Sequence, residues 1–169
     1  IWIDAAANFP DFANSKENIA RDLALAKDAG FTDIVVDVRP TTGDVLFKTN
    51  LVDQVKFMYA WIGSNYTKVE RTATWDYLQA FVDEARKQGF RIHAAINTFV
   101  GGNQIDGGTG LLYRDQSKAE WATQMNMQVG ITSVMNTSES TKFFNPAHPE
   151  VQTFLCDLLK DLAGYDLDG

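Results

Sequence analysis

The sequence predicts an α/β chain in which strands and helices alternate around a parallel sheet, and three observations carry that prediction. The first is the stretch Thr32-Asp33-Ile34-Val35-Val36-Asp37-Val38-Arg39-Pro40, whose β-branched, apolar middle is the pattern of a buried strand. The second is a device used three times. Gly30-Phe31, Gly89-Phe90 and Gly164-Tyr165 each close a helical stretch with a glycine, followed by an aromatic residue and then a strand. The resulting order, βαβαβαβ, implies parallel strands with right-handed crossovers. The third is where the irregular chain lies. Residues 40–73 and 100–148 both follow strands, whereas helix-to-strand links are a residue or two. Loops that follow strands form the C-terminal, functional face of such folds, and they are usually only about 2–6 residues long.

Two architectures fit this pattern, an open doubly wound sheet and the N-terminal portion of a (β/α)8 TIM barrel, with strands 1–3 and the start of strand 4. The long strand-following loops favour the barrel. On that reading residues 1–169 are a single partial (β/α)8 domain, truncated at its C-terminal end. Expressed alone, such a segment is expected to aggregate or stay loose, because its outer strands are unpaired edges.

Taken in order, Ile1 to Asp4 reads as a short strand with Trp2 and Asp4 on one face. Asn14, with Glu17 three residues on, reads as a capping box. Ile19, Leu23 and Ala26 then follow at helical spacing up to Gly30. In the strand Asp33–Arg39, period two sets Ile34, Val36 and Val38 on one face and Val35, Asp37 and Arg39 on the other. Thr74 is the expected cap of a second helix carrying Leu78, Phe81, Val82 and Ala85, which Gly89 ends. The strand Arg91–Asn97 divides into Ile92, Ala94, Ile96 and His93, Ala95, Asn97. Pro149 suits the first turn of a third helix, with Val151, Phe154, Leu155, Leu158, Leu159 and Leu162 as its apolar stripe. Asp166–Gly169 opens a fourth strand.

Composition narrows the function. A hydrophobic content of 45% gives a real core, and a net formal charge of −7 without a basic run argues against nucleic acid and anionic membranes as partners. No apolar run reaches membrane-spanning length. The single cysteine, Cys156, can form no internal disulfide and is expected to be core or core-edge filler. Neither HExxH nor paired CxxC is present for zinc, neither GxGxxG nor GxxxxGK[ST] for nucleotides, and no GxSxG elbow, so no cofactor is called for. Gly101-Gly102-Asn103 follows a strand but lacks the helix start that phosphate binding requires.

What converges at strand ends is Asp4, Asp37, Arg39 and Asn97, with loop aromatics Phe47, Phe57, Tyr59, Trp61, Tyr66, Tyr113 and Trp121 around them. Carboxylates, amides, an arginine and aromatic rings are the composition of a carbohydrate site. The plain alternatives are that Asp37 and Arg39 form an ion pair and that most of the aromatics anchor the loops. His93 lies deeper and is read as a satisfied core histidine rather than an acid or base.

Five stretches carry a family resemblance: Ile34–Gly43 (Ile-Val-Val-Asp-Val-Arg-Pro-Thr-Thr-Gly), Trp2-Ile3-Asp4, Leu78-Gln79-Ala80-Phe81, His93-Ala94-Ala95-Ile96-Asn97, and Phe144-Asn145-Pro146 followed by Pro149-Glu150-Val151. Together with Tyr165–Gly169, they make the chain resemble the glycosyl-hydrolase-like 10 family of bacterial exported proteins. The resemblance implies a TIM barrel acting on an oligo- or polysaccharide, with cell-wall glycan one such substrate, and export to the envelope or periplasm. It implies catalytic acidic residues just after the fourth-strand motif and on later strands, and it adds Asn145 to the substrate-binding candidates. His93-Ala94-Ala95 departs from the family's more usual His-Ala-Trp.

The expected function is therefore a glycoside hydrolase using two carboxylates. Asp4, Asp37, Arg39, Asn97 and Asn145 would bind substrate, and Asp37 is the one catalytic candidate among them. The alternatives are a non-catalytic glycan-binding protein on a degenerate barrel and an open-sheet domain with a small-molecule site. Asp37→Asn is expected to cost tenfold to 150-fold in rate, roughly the 1.5–3 kcal/mol of a charged hydrogen bond, with little change in melting.

Overall fold

The computed structural model describes residues 1–169. Strand β1 (Trp2–Ile3) passes through the one-turn helix α1 (Phe9–Phe12) into α2 (Lys16–Asp28), and β2 (Asp33–Arg39) follows. Strands β3 (Phe57–Ile62) and β4 (Asn65–Glu70) precede α3 (Tyr77–Gln88) and β5 (Arg91–Ile96). Then come β6 (Val100–Asn103), α4 (Leu111–Arg114), β7 (Gln124–Met127), β8 (Gly130–Ser133), β9 (Thr141–Phe143) and α5 (Pro149–Leu162).

The predicted strands form one parallel sheet in the order β1-β2-β5. Its register sets Ile3 beside Val36, Ile34 beside Ile92, and Val36 beside Ala94. Ile3, Ile34, Val36 and Ile92 are buried and belong to one apolar core with Leu23 and Ala26 of α2 and Phe81, Val82 and Ala85 of α3. Each such aliphatic side chain contributes about 1.5–3 kcal/mol by leaving water. The other face is open: Trp2 is 59% exposed, and Val35, His93 and Ala95 are half-buried. After α5 the chain returns to the free edge of β5, where the Asp168 amide donates to Ile92 O at 2.8 Å and the Ala94 amide donates to Gly169 O at 2.9 Å. The result is a mixed α/β domain, and no closed barrel forms within it.

Helix ends differ from the sequence expectation in instructive ways. Ser15, not Asn14, caps α2, its Oγ accepting from the Asn18 amide. Asn14 is occupied elsewhere: its side chain donates to Glu70 O and accepts from the Thr72 and Ala73 amides, fixing the exit of β4. Asp76, not Thr74, caps α3, because its carboxylate reaches the Gln79 amide. Gly30 and Gly89 take the left-handed conformation expected after a helix. Gly164 does not, so its freedom is not what ends α5. Leu159, counted in the apolar stripe, is 43% exposed, and Cys156 is exposed rather than core filler.

The long connections are built rather than loose. In residues 40–73, β3 and β4 make an antiparallel hairpin. In residues 100–148, β6 pairs with β9 and β7 with β8, over buried Leu112, Trp121, Val134 and Phe144. The glycines there serve close approach. A Cβ on Gly102 would meet Thr109 O at 2.3 Å, and one on Gly43 would meet the Gly102 amide nitrogen at 2.8 Å. Within residues 100–148 the place open to proteolysis is therefore the β7–β8 tip, where Val129 is 97% exposed. Limited digestion is expected to cut first between Met127 and Ile131. Primary cleavage near Leu112 or Phe144 would contradict this packing.

Candidate functional site

The register that sets Ile3 beside Val36 continues to place Asp4 beside Asp37 at the C-terminal ends of β1 and β2, on the face away from the helices. Asp37 is 9% exposed, and its Oδ1 accepts from the Arg39 amide at 3.2 Å. Burial, opposed by that backbone bond and reinforced by the nearby Asp4 charge, pushes the Asp37 carboxyl up to about 6. Asp4 itself is exposed, and its Oδ1 accepts from the Ala6 and Ala7 amides at 2.9 and 2.7 Å, turning the chain toward α1. Two carboxyl groups of different character thus sit side by side, one buried and holding its proton well above the usual carboxylate range, the other at the surface.

Arg39 departs from the sequence expectation. The pairing with β5 shifts between Asp37 and Arg39: Asp37 lies opposite Ala95 and Arg39 opposite Ile96, leaving Val38 as an extra residue. Period-two alternation stops at that bulge. The guanidinium is fully buried and donates to the backbone carbonyls of Asn97, Thr98 (3.0 Å) and Val100 (2.5 Å), and its Nε has no partner. Burial lowers its pKa to about 10, which leaves it charged at neutral pH. It makes no ion pair with Asp37 and has no exposed surface to offer a ligand. Arg39 is thus corrected from a sugar-binding candidate to the residue that ties the end of β2 to the loop after β5.

Asn97 joins the same knot. Its amide and its Nδ2 both donate to Arg39 O at 3.0 Å, while the half-buried side chain keeps its Oδ1 free of partners within the chain. Asn145 lies between β9 and α5, its backbone amide on Trp121 O and its Oδ1 accepting from the Ala147 amide. It caps a turn there, on a different part of the chain from Asp4 and Asp37. His93 faces the open side, its Nε2 3.1 Å from Asp33 Oδ1 at the opposite end of the strands, as a structural histidine would be.

Several residues around the site give no sequence signal. Tyr77, fully buried at the start of α3, has a hydroxyl without a partner, and burial followed by the Asp37 charge holds that phenol above its usual range. Asp44, 2% exposed, receives the fork of Arg114, whose second nitrogen donates at 2.7 Å, so the loop after β2 is bolted to α4. Asp106 accepts from the Tyr59 hydroxyl at 3.0 Å and from Lys68 at 2.7 Å, joining the β3–β4 hairpin to the loop after β6. Each pairing links residues far apart in sequence and outside any periodic stretch. No three His, Cys, Asp or Glu side chains gather as a metal-binding group, and no helix is long and apolar enough to cross a membrane.

The sequence family described as Glycosyl hydrolase-like 10 matches residues 1–169, the whole of this strand-end geometry included. The chain belongs to the glycosyl hydrolase-like 10 family. This glycosyl hydrolase-like 10 chain is also 29% identical over 175 residues to an S-layer-related protein of Niallia circulans, an alignment covering 100% of the chain and 10% of that protein. It therefore spans about a tenth of that relative's length. A crystal structure of a hypothetical protein from Ruminiclostridium thermocellum ATCC 27405 superposes with a TM-score of 0.57 at 14% identity, covering 93% of this chain and 69% of the other. That likeness is one of fold.

Proposed function

We propose that this chain is the N-terminal part of a (β/α)8 glycoside hydrolase that cleaves a polysaccharide or cell-wall glycan, with its substrate lying over the C-terminal ends of β1, β2 and β5. Membership of a glycosyl hydrolase-like family supports the reaction class. The strand order supports the barrel: β1, β2, β5 and then Asp168–Gly169 succeed one another in a single direction, without the reversal of a doubly wound sheet. A cell-envelope glycan as substrate and export of the protein are part of the same proposal, in keeping with a relative named an S-layer-related protein.

The observation that carries the mechanism is Asp37. A buried carboxyl holding its proton to about pH 6 has the character of a glycosidase general acid. Protonated Asp37 would donate to the glycosidic oxygen as the bond to the leaving sugar breaks, and a second carboxylate would stabilise or attack the anomeric carbon. Burial keeps the proton on Asp37, with the Asp4 charge adding to it, and the free Oδ1 of Asn97 would accept from a sugar hydroxyl.

Reducing-end release from soluble glycans and peptidoglycan by the full-length protein tests this. For a general acid, activity needs the protonated form, so kcat/KM is expected to fall as pH rises through about 6. Asp37→Asn is expected to lose roughly tenfold to 150-fold and to lose that limb of the profile. Wild-type kcat/KM in Asp37→Asn would remove Asp37 from the mechanism. Glycan binding without any bond cleavage would instead favour the non-catalytic glycan-binding protein.

A further inference from the structure

The β3–β4 hairpin presents an aromatic face that no core residue covers. Tyr59 and Tyr66 stack with centroids 5.4 Å apart, and Trp61 lies 5.3 Å from Tyr66, tilted by 44°. Trp61 is 69% and Tyr66 58% exposed. Two exposed rings side by side, on a hairpin whose alternate side bears buried Met58 and Ala60, are not packing anything.

This face is held in place from outside the hairpin. Asp106 fixes the Tyr59 hydroxyl and the Lys68 ammonium together. It does so from a left-handed backbone conformation, φ 48°, taken by no other residue except glycines. Lys68 also lies 4.1 Å above the Phe57 ring. Its charge is neutralised by Asp106, so the platform offers flat apolar faces without a free cation. At its foot is a cavity of about 220 Å³ walled by Tyr59 and Tyr66 on one side and by Thr41, Thr42 and Asn103 on the other. Ala6 completes that wall, and Ala6 and Thr41-Thr42 are the chain that leaves the strand ends of Asp4 and Arg39. Cavity and platform thus border the chain that follows the strand ends carrying Asp4 and Arg39.

We propose that Tyr59, Tyr66 and Trp61 form a sugar-binding subsite for a neutral oligosaccharide, which stacks the C–H faces of its rings on the platform. Thr41, exposed at the mouth of that cavity, bonds one of the sugar hydroxyls, while buried Thr42 and the internally bonded Asn103 shape the wall. The proposal rests on the carbohydrate reading above and extends it to a binding surface beyond the carboxyl pair. Aromatic rings contribute large contact area at low entropic cost, and the exposed threonine supplies a hydrogen bond. The tether through Asp106 fixes the ring of Tyr59 before the ligand arrives.

The test measures binding of cellohexaose and chitohexaose to the full-length protein by calorimetry, in wild type, Trp61→Ala, Tyr66→Ala and Asp37→Asn, with size-exclusion chromatography of each. Trp61 and Tyr66 are exposed, so their variants are expected to keep the wild-type melting temperature. The expected result is a loss of roughly tenfold or more in affinity in each platform variant, the scale of removing an aromatic anchor, with a sugar-dependent change of tryptophan fluorescence in wild type that Trp61→Ala loses. Undiminished affinity in both platform variants, with binding reduced in Asp37→Asn, would overturn the subsite and leave the carbohydrate reading standing. No binding of either hexasaccharide to wild type would overturn the subsite together with the neutral-glycan reading. A change of oligomeric state in the platform variants without a change in sugar affinity would assign the face to self-association and overturn the proposal.

Discussion

Arg39→Met is expected to lower the stability of this domain by about 3–5 kcal/mol. The guanidinium is fully buried and donates to the carbonyls of Asn97, Thr98 and Val100, of which Asn97 O also accepts from the Val100 amide at 3.2 Å. Methionine fills much of the volume but donates nothing. A carbonyl left without its donor in a dry site costs about 1–3 kcal/mol, and the total stays below three times that because Asn97 O keeps the Val100 amide and water partly reaches the half-buried Asn97 and Thr98. For a domain of this size the melting temperature should fall on the order of 10 °C. Arg39→Lys keeps the charge, but a single ammonium cannot span the three acceptors, so it should recover only part of the loss. Thermal unfolding of the three proteins at neutral pH checks this. A melting temperature within a degree of wild type for Arg39→Met would show that the carbonyl knot holds without the arginine.

Asp37→Asn should do the opposite above pH 6. The buried carboxyl has a folded-state pKa of about 6 against an ordinary 3.8. Between those two values the folded chain keeps a proton that the unfolded chain releases, so stability falls as pH rises through this window and the full cost is present above it. The shift corresponds to a ceiling of about 3 kcal/mol. Asparagine carries no charge to desolvate and can still accept from the Arg39 amide. Asp37→Asn and wild type are therefore expected to melt together near pH 4, with the variant more stable by up to about 3 kcal/mol at pH 7.5. A variant less stable than wild type at pH 7.5 would mean that ionised Asp37 is stabilised in the folded chain. The strand pattern alone suggested that this substitution would hardly move the melting temperature. Burial, which period-two alternation cannot report, reverses that expectation. Combined with the rate loss that the proposed general-acid role predicts, the variant would be more stable and less active, the trade expected where a functional carboxyl is buried.

The resemblance to the glycosyl-hydrolase-like 10 family was legible in short stretches such as Trp2-Ile3-Asp4 and Val35-Val36-Asp37, and the full-length family match agrees with it. The barrel and the cleavage chemistry remain proposals built on that membership. The platform of Tyr59, Trp61 and Tyr66 was visible only as a count of loop aromatics, because nothing in its sequence announces a hairpin.

By itself the sequence determined the alternation of strand and helix. Ile34, Val36 and Ile92 repeat with period two, Leu78, Phe81, Val82 and Ala85 with the period of a helix, and Gly30 and Gly89 stop helices where the backbone must turn left-handed. These are local constraints, set by sterics and by the need to bury one face, and they can be read over a few residues. Tertiary structure alone decided what each polar residue is for. A bulge at Val38 separated Asp37 from Arg39, three carbonyls some sixty residues away claimed the arginine, and the low polarity around Asp37 kept its proton on. Hydrogen-bond partners and dielectric environment come from chain segments distant in sequence, so the same aspartate-x-arginine pattern is compatible with an ion pair, a ligand clamp or the separated acid and tether found here.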